Sequence, residues 1–158
     1  MKIDIVKIAS GGGCLGALLL SGCASNLSSV QMTAAPSIAG ASVQVDVIGV
    51  GTQNQSVADY PVGRYWEQGG SVPSAEPKKS FRFGPGEPDM QAISANDPIW
   101  KLWQTAGVKE LLVIADLPGV FPDVSPDMDP RRKVLPMASK KPSVAVTLDR
   151  SGVDVSTP

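Results

Sequence analysis

The 158-residue chain contains no histidine. That removes Ser-His and Cys-His nucleophilic catalysis, His-ligated zinc and the commonest general base near neutral pH. Cysteine is almost as scarce, with only Cys14 and Cys23. No apolar run is long enough to span a bilayer: the candidate over 8–20 has roughly 13 residues against the ~20 that a crossing helix needs. Charge is nearly balanced, with 14 basic and 15 acidic residues and no basic stripe, so nothing points to nucleic acid. Gly11-Gly12-Gly13 and Gly84-Pro85-Gly86 are not phosphate loops, because neither has a Lys-Ser/Thr partner opening a helix; turn chemistry accounts for the second. No internal repeat is present. These absences argue against an enzyme and leave no cofactor or metal implied.

What is present begins at the N-terminus. Lys2 and Lys7 precede an apolar segment that ends in Leu20-Ser21-Gly22-Cys23, the layout of a secretory signal. Ser21 and Gly22 allow an extended, unhindered cleavage site, and only a thiol is nucleophilic enough to take a lipid. Cys14 has too little apolar chain before it to compete. At these residues the chain resembles the bacterial lipoprotein signal, whose lipobox has an aliphatic residue three before the cysteine and small residues between. The resemblance implies cleavage before Cys23, a diacylglycerol on its sulfur and an acyl chain on its new amine. Several acyl chains bury far more methylenes than stable attachment requires, at about 0.8 kcal/mol each. Ala24, in place of an aspartate retention signal, implies the periplasmic face of the outer membrane. The mature chain then has no disulfide and no free thiol.

The organisation expected is a signal peptide over 1–22, a lipidated cysteine and flexible tether over 23–41, and one domain over 42–158. The tether is inferred from a stretch rich in Ser, Ala and Asn without sustained apolar periodicity. Val43, Val45 and Val47 alternate with Gln44 and Asp46, which predicts a first strand with one buried face. A polar loop over 49–59 follows, then a second strand over 60–66 with Pro61 at its start. Phe81 and Phe83 alternate inward from a third strand. Asp97-Pro98 opens one short helix and Gly107 closes it, with Ile99, Leu102, Trp103 and Ala106 on one face and Trp100 beside them. Glu110-Leu-Leu-Val-Ile-Ala-Asp116 has the strongest apolar run and predicts a central strand covered on both faces. A short strand over 133–137 and a hairpin turning at Arg150-Ser151-Gly152 complete the pattern. Seven or so short strands and one helix, without a βαβ rhythm, predict a mainly β protein: an antiparallel β-sandwich.

Three constellations have residue types that could carry chemistry. Asp123, Asp127 and Asp129 have neither EF-hand spacing nor a closing glutamate, which favours a solvated acidic loop pairing locally with Arg131, Arg132 and Lys133. Ser56 with a lysine is a conceivable nucleophile and base, but no spacing raises it above chance. Trp100 and Trp103, three apart on a short amphipathic helix, read as core before they read as a ligand-stacking pair.

After Cys23 the order of elements resembles the TssJ family, the outer-membrane lipoproteins of bacterial type VI secretion systems. The matching pieces are the strand 43–48, the loop 49–59, the segment 61–66 with Tyr65, and the strand 110–116. The chain has Asn54-Gln55-Ser56 and Asp59-Tyr60-Pro61 where the family carries Asn-Pro-Asp and Gly-Arg-Pro segments. The resemblance implies a transthyretin-like sandwich with a small added helix. It also implies a docking module that holds the periplasmic part of an inner-membrane secretion partner through its first inter-strand loop: Gly51, Thr52, Gln53, Asn54, Gln55, Ser56, Val57, Ala58 and Asp59. A second reading stays open, a small-ligand-binding envelope lipoprotein or hydrolase with Tyr65, Trp66, Trp100 and Trp103 around a pocket.

Overall fold

A computed structural model describes residues 25–51, 59–69, 77–139 and 141–156. Ten strands and two short helices follow one another in it: β1 (Ser25–Asn26), β2 (Ser29–Ala34), β3 (Val43–Gly51), α1 (Val62–Glu67), β4 (Lys78–Phe83), β5 (Met90–Ile93), α2 (Ile99–Thr105), β6 (Val108–Ala115), β7 (Arg132–Pro136), β8 (Ala138–Ser139), β9 (Ser143–Asp149) and β10 (Gly152–Ser156). Two four-stranded sheets, ordered β10-β9-β2-β5 and β4-β3-β6-β7, face each other, and β1 pairs β8 in a small ribbon. The protein is a mainly β sandwich, as the alternation predicts. One pair departs from the antiparallel rule: β2 runs parallel to β9, in register from Ser29↔Ser143 to Ala34↔Leu148.

Between the sheets lies a core of alternating side chains from both: Val43, Val45, Val47, Phe81, Phe83, Leu111 and Val113 from one, Val30, Met32, Ile93, Val146 and Leu148 from the other. Helix α2 closes one end of this core with Ile99, Trp100 and Trp103. The two indoles meet edge to face with centroids 5.2 Å apart; Trp100 Nε1 donates to Ser94 O and Trp103 Nε1 to Pro77 O. Gly49 on β3 makes room for Trp103, since a Cβ there would lie 2.5 Å from the indole Cδ1.

A second, smaller cluster occupies the outer face of the β4-β3-β6-β7 sheet, where Ile48, Val50, Leu112 and Ile114 are covered by Val62 and Tyr65 of α1. Strand β6 is therefore central and buried on both faces, as its apolar run predicts. Strand β3 is also buried on both faces, and Asp46 is inaccessible to solvent.

Three expectations are corrected. The stretch read as a tether carries β1 and β2, and β2 is an interior strand pairing with both β5 and β9. Its two apolar side chains, Val30 and Met32, are enough to seat it once both neighbours supply hydrogen bonds. The second strand over 60–66 is helix α1, because the apolar spacing of Val62 and Tyr65 puts both on one helical face against a sheet that is already complete. On α2 the buried side is Ile99, Trp100 and Trp103, while Leu102 is 53% exposed. The helix caps an open sandwich end with its bulkiest rings, and these leave no room below for Leu102.

Candidate functional site

The lipobox residues Leu20, Ser21, Gly22 and Cys23 lie outside the described residues. So do Thr52, Gln53, Asn54, Gln55, Ser56, Val57 and Ala58 of the expected docking loop. The structure does place the two feet of that loop. Gly51 ends β3 opposite Val108 of β6, and Asp59 is exposed at the turn that leads into α1. The loop and the helix form one connection, so what holds α1 also fixes where the loop returns.

That hold is chemical as well as apolar. The Tyr65 hydroxyl donates to Asp46 Oδ2, and Lys78 Nζ donates to the same oxygen at 2.8 Å and approaches the Tyr65 oxygen at 3.3 Å. Burial, then the hydrogen bond to Asp46 and its charge, push the Tyr65 hydroxyl far above its ordinary value, so it stays a donor throughout the physiological range. Asp46 Oδ1 is buried without a hydrogen-bond partner among the described residues, as is Trp66 Nε1. With its one engaged oxygen shared by a phenol and an ammonium, the trio fastens α1 to β3 and β4.

On the other side of α1 runs an open cleft of about 710 Å³ bounded by Arg64 and Glu67 of the helix and by Phe121, Asp123 and Arg131 of the loop 116–131. Burial raises the Asp129 carboxyl, but the Arg131 side chain and backbone donate to it and hold it below the usual carboxylate range. Arg131 reaches it through Nε at 2.9 Å and Nη2 at 2.6 Å, and its guanidinium also stacks 4.8 Å from the Phe121 centroid. Arg132, paired across β6 with Ile114, is buried; burial lowers its pKa against the charges of Asp59, Asp129 and Asp127.

The acidic residues expected to form a loop are thus divided: Asp123 and Asp127 are exposed, while Asp129 turns inward to Arg131. Among the described residues no three carboxylate or thiol groups converge on a metal position. The tryptophans of the pocket reading do not converge either. Trp100 and Trp103 are in the inter-sheet core, Trp66 packs with the cluster under α1, and a sheet separates them. Sequence reasoning missed the Asp46-Tyr65-Lys78 trio, whose only signal is an aspartate at an alternate position of an otherwise apolar strand.

No protein-family model matches the chain, and no curated protein does. Solved structures share its fold. Lip of Serratia marcescens, a membrane-bound component of the type VI secretion system, superposes with a TM-score of 0.50 at 14% identity, over 82% of this chain and 96% of that one. The type VI secretion lipoprotein TssJ1 of Pseudomonas aeruginosa gives 0.50 and 14% over 82% and 95%. A chain in the structure of the TssM C-terminal domain from EAEC gives 0.51 and 14% over 82% and 97%. The likeness is one of fold, and it spans nearly the whole of each neighbour.

Proposed function

We propose that this chain is a lipid-anchored periplasmic lipoprotein of the outer membrane that docks another envelope protein, as the outer-membrane component of a type VI secretion membrane complex. The observation that carries this reading is a conjunction. A lipobox cysteine stands two residues before a sandwich whose fold is that of a membrane-bound secretion component and a secretion lipoprotein. Neither half suffices alone, since lipoboxes precede many folds and a fold does not carry a function. The absence of histidine from the sequence and the use of Asp46, Tyr65 and Lys78 as a fastening favour docking over catalysis.

The partner contact is assigned to the loop from Gly51 to Asp59, with the periplasmic part of an inner-membrane component as its occupant. Cys23→Ser should move the protein from the membrane fraction to the soluble periplasm, and the native product should carry the mass of three acyl groups. Pull-down of residues 24–158 from envelope extract should recover a secretion component, and replacing 52–58 should abolish that recovery. An unmodified thiol refutes the anchor. Undiminished recovery with the replaced loop refutes the docking assignment.

A further inference from the structure

We propose that the end of the sandwich closed by α2 and by the β1–β8 ribbon lies directly against the lipid headgroups, with the exposed side of α2 facing an anionic bilayer surface. This rests on acylation of Cys23 as proposed above, and on three observations of the fold.

The first is length. Only Ala24 separates Cys23 from Ser25, and Ser25 is already paired with Ser139. At no more than about 3.6 Å per residue, two residues of chain span at most roughly 7 Å. A tether of 18 residues would let the domain tumble freely; two residues cannot.

The second is position. Leu27 N donates to Met137 O and Met137 N to Lys109 O, so the ribbon is stitched to the first residues of β6. A concavity of about 340 Å³ beside it is lined by Asn26, Gln104, Gly107, Lys109, Met137 and Ala138, joining the C-terminus of α2 to the point of attachment. Because Ile99, Trp100 and Trp103 plug the core, the opposite side of α2, with Lys101 and the half-exposed Leu102, points out of this end.

The third is charge. Lys101, Lys109 and Lys141 are exposed here against the carboxylate of Glu110, and Asp97 is taken up by Lys79 at 2.8 Å. The opposite end, where Val43 of β3 pairs with Phe83 and Val45 with Ala115, carries exposed Glu87, Asp89, Asp116, Asp123 and Asp127 in the loops 84–89 and 116–131, against exposed Arg82 and Arg150. An anionic surface attracts the first end and repels the second. Leu102 adds an apolar side chain at headgroup depth.

The test uses the acylated protein in vesicles of phosphatidylethanolamine and phosphatidylglycerol containing a headgroup spin label. With Cys23 acylated, Leu102→Cys and Val120→Cys each supply a single free thiol for a fluorophore; Val120 is fully exposed on the far loops. Fluorescence at position 102 should be quenched several-fold more than at 120. Reversing Lys101, Lys109 and Lys141 to Glu should reduce that quenching, each charge weakening contact roughly fivefold. Equal quenching at both sites, or quenching at 120 alone, overturns the orientation; unchanged quenching after charge reversal overturns the electrostatic contact. Flotation of the same vesicles separates the two readings: a protein that fails to float has lost its anchor, whereas one that floats with both sites exposed is anchored but not seated.

Discussion

At the scale of the residue, two ion pairs of equal length differ in how far water reaches the carboxylate. Lys78, 34% exposed, meets an Asp46 at 0% exposure at 2.8 Å, and Lys79, 40% exposed, meets an Asp97 at 13% at the same distance. A buried carboxylate that loses a donor keeps its full desolvation penalty, while an exposed one recovers water. Tyr65→Phe deletes one of the two donors to Asp46 and should destabilise the protein by about 1–3 kcal/mol in urea unfolding. Lys79→Ala should cost less than about 1 kcal/mol. Equal, small effects from both would show that Asp46 is better solvated than its surroundings allow.

At the scale of the element, α2 is too short to stand alone, and its start depends on Asp97. That carboxylate accepts from Lys79 and from the backbone N–H of Ile99, and these bonds, in that order, hold its pKa below the ordinary aspartate range. A depressed carboxylate contributes stability that is complete above the unfolded value of about 3.9 and is lost as pH falls through the folded one. The melting-temperature gap between the native protein and Asp97→Asn should therefore be constant from neutral pH to about 5 and should close below about 4. A gap that persists at the acid end would mean that the amide fails as a cap for some other reason.

The same elements show what could be read beforehand. Strands β3 and β6 were legible because dense β-branched runs leave no other way to bury so many side chains. The start of α2 was legible from Asp97-Pro98, but its buried face was not, because ring volume rather than period decides which side fills an open sandwich end. The segment 60–66, with Pro61 at its start, reads as a strand; only the completed sheet beneath it makes the helical spacing of Val62 and Tyr65 the better fit. Of the site, the lipobox chemistry is local and could be read directly, whereas the trio around Asp46 joins three separate segments and exists only after folding.

At the scale of the whole molecule, the decisive element is the one that composition hid. Strand β2 holds β5 and β9 together, so the four-stranded sheet exists only with residues that look like linker. Leu27, Val30, Met32 and Ile38 are each at most 3% exposed. Burying such a side chain contributes about 1.5–3 kcal/mol, so the four together match the whole net stability of a typical domain, about 5–15 kcal/mol. A chain beginning at residue 25 should then unfold cooperatively with a near-ultraviolet signal from Trp100 and Trp103. One beginning at residue 42 should show neither, because β5 loses its one strand partner among the described residues and one face of the core opens to water. Were the shorter chain to fold as well as the longer, residues 25–41 would be a tether after all, and the domain would stand clear of the membrane instead of resting on it.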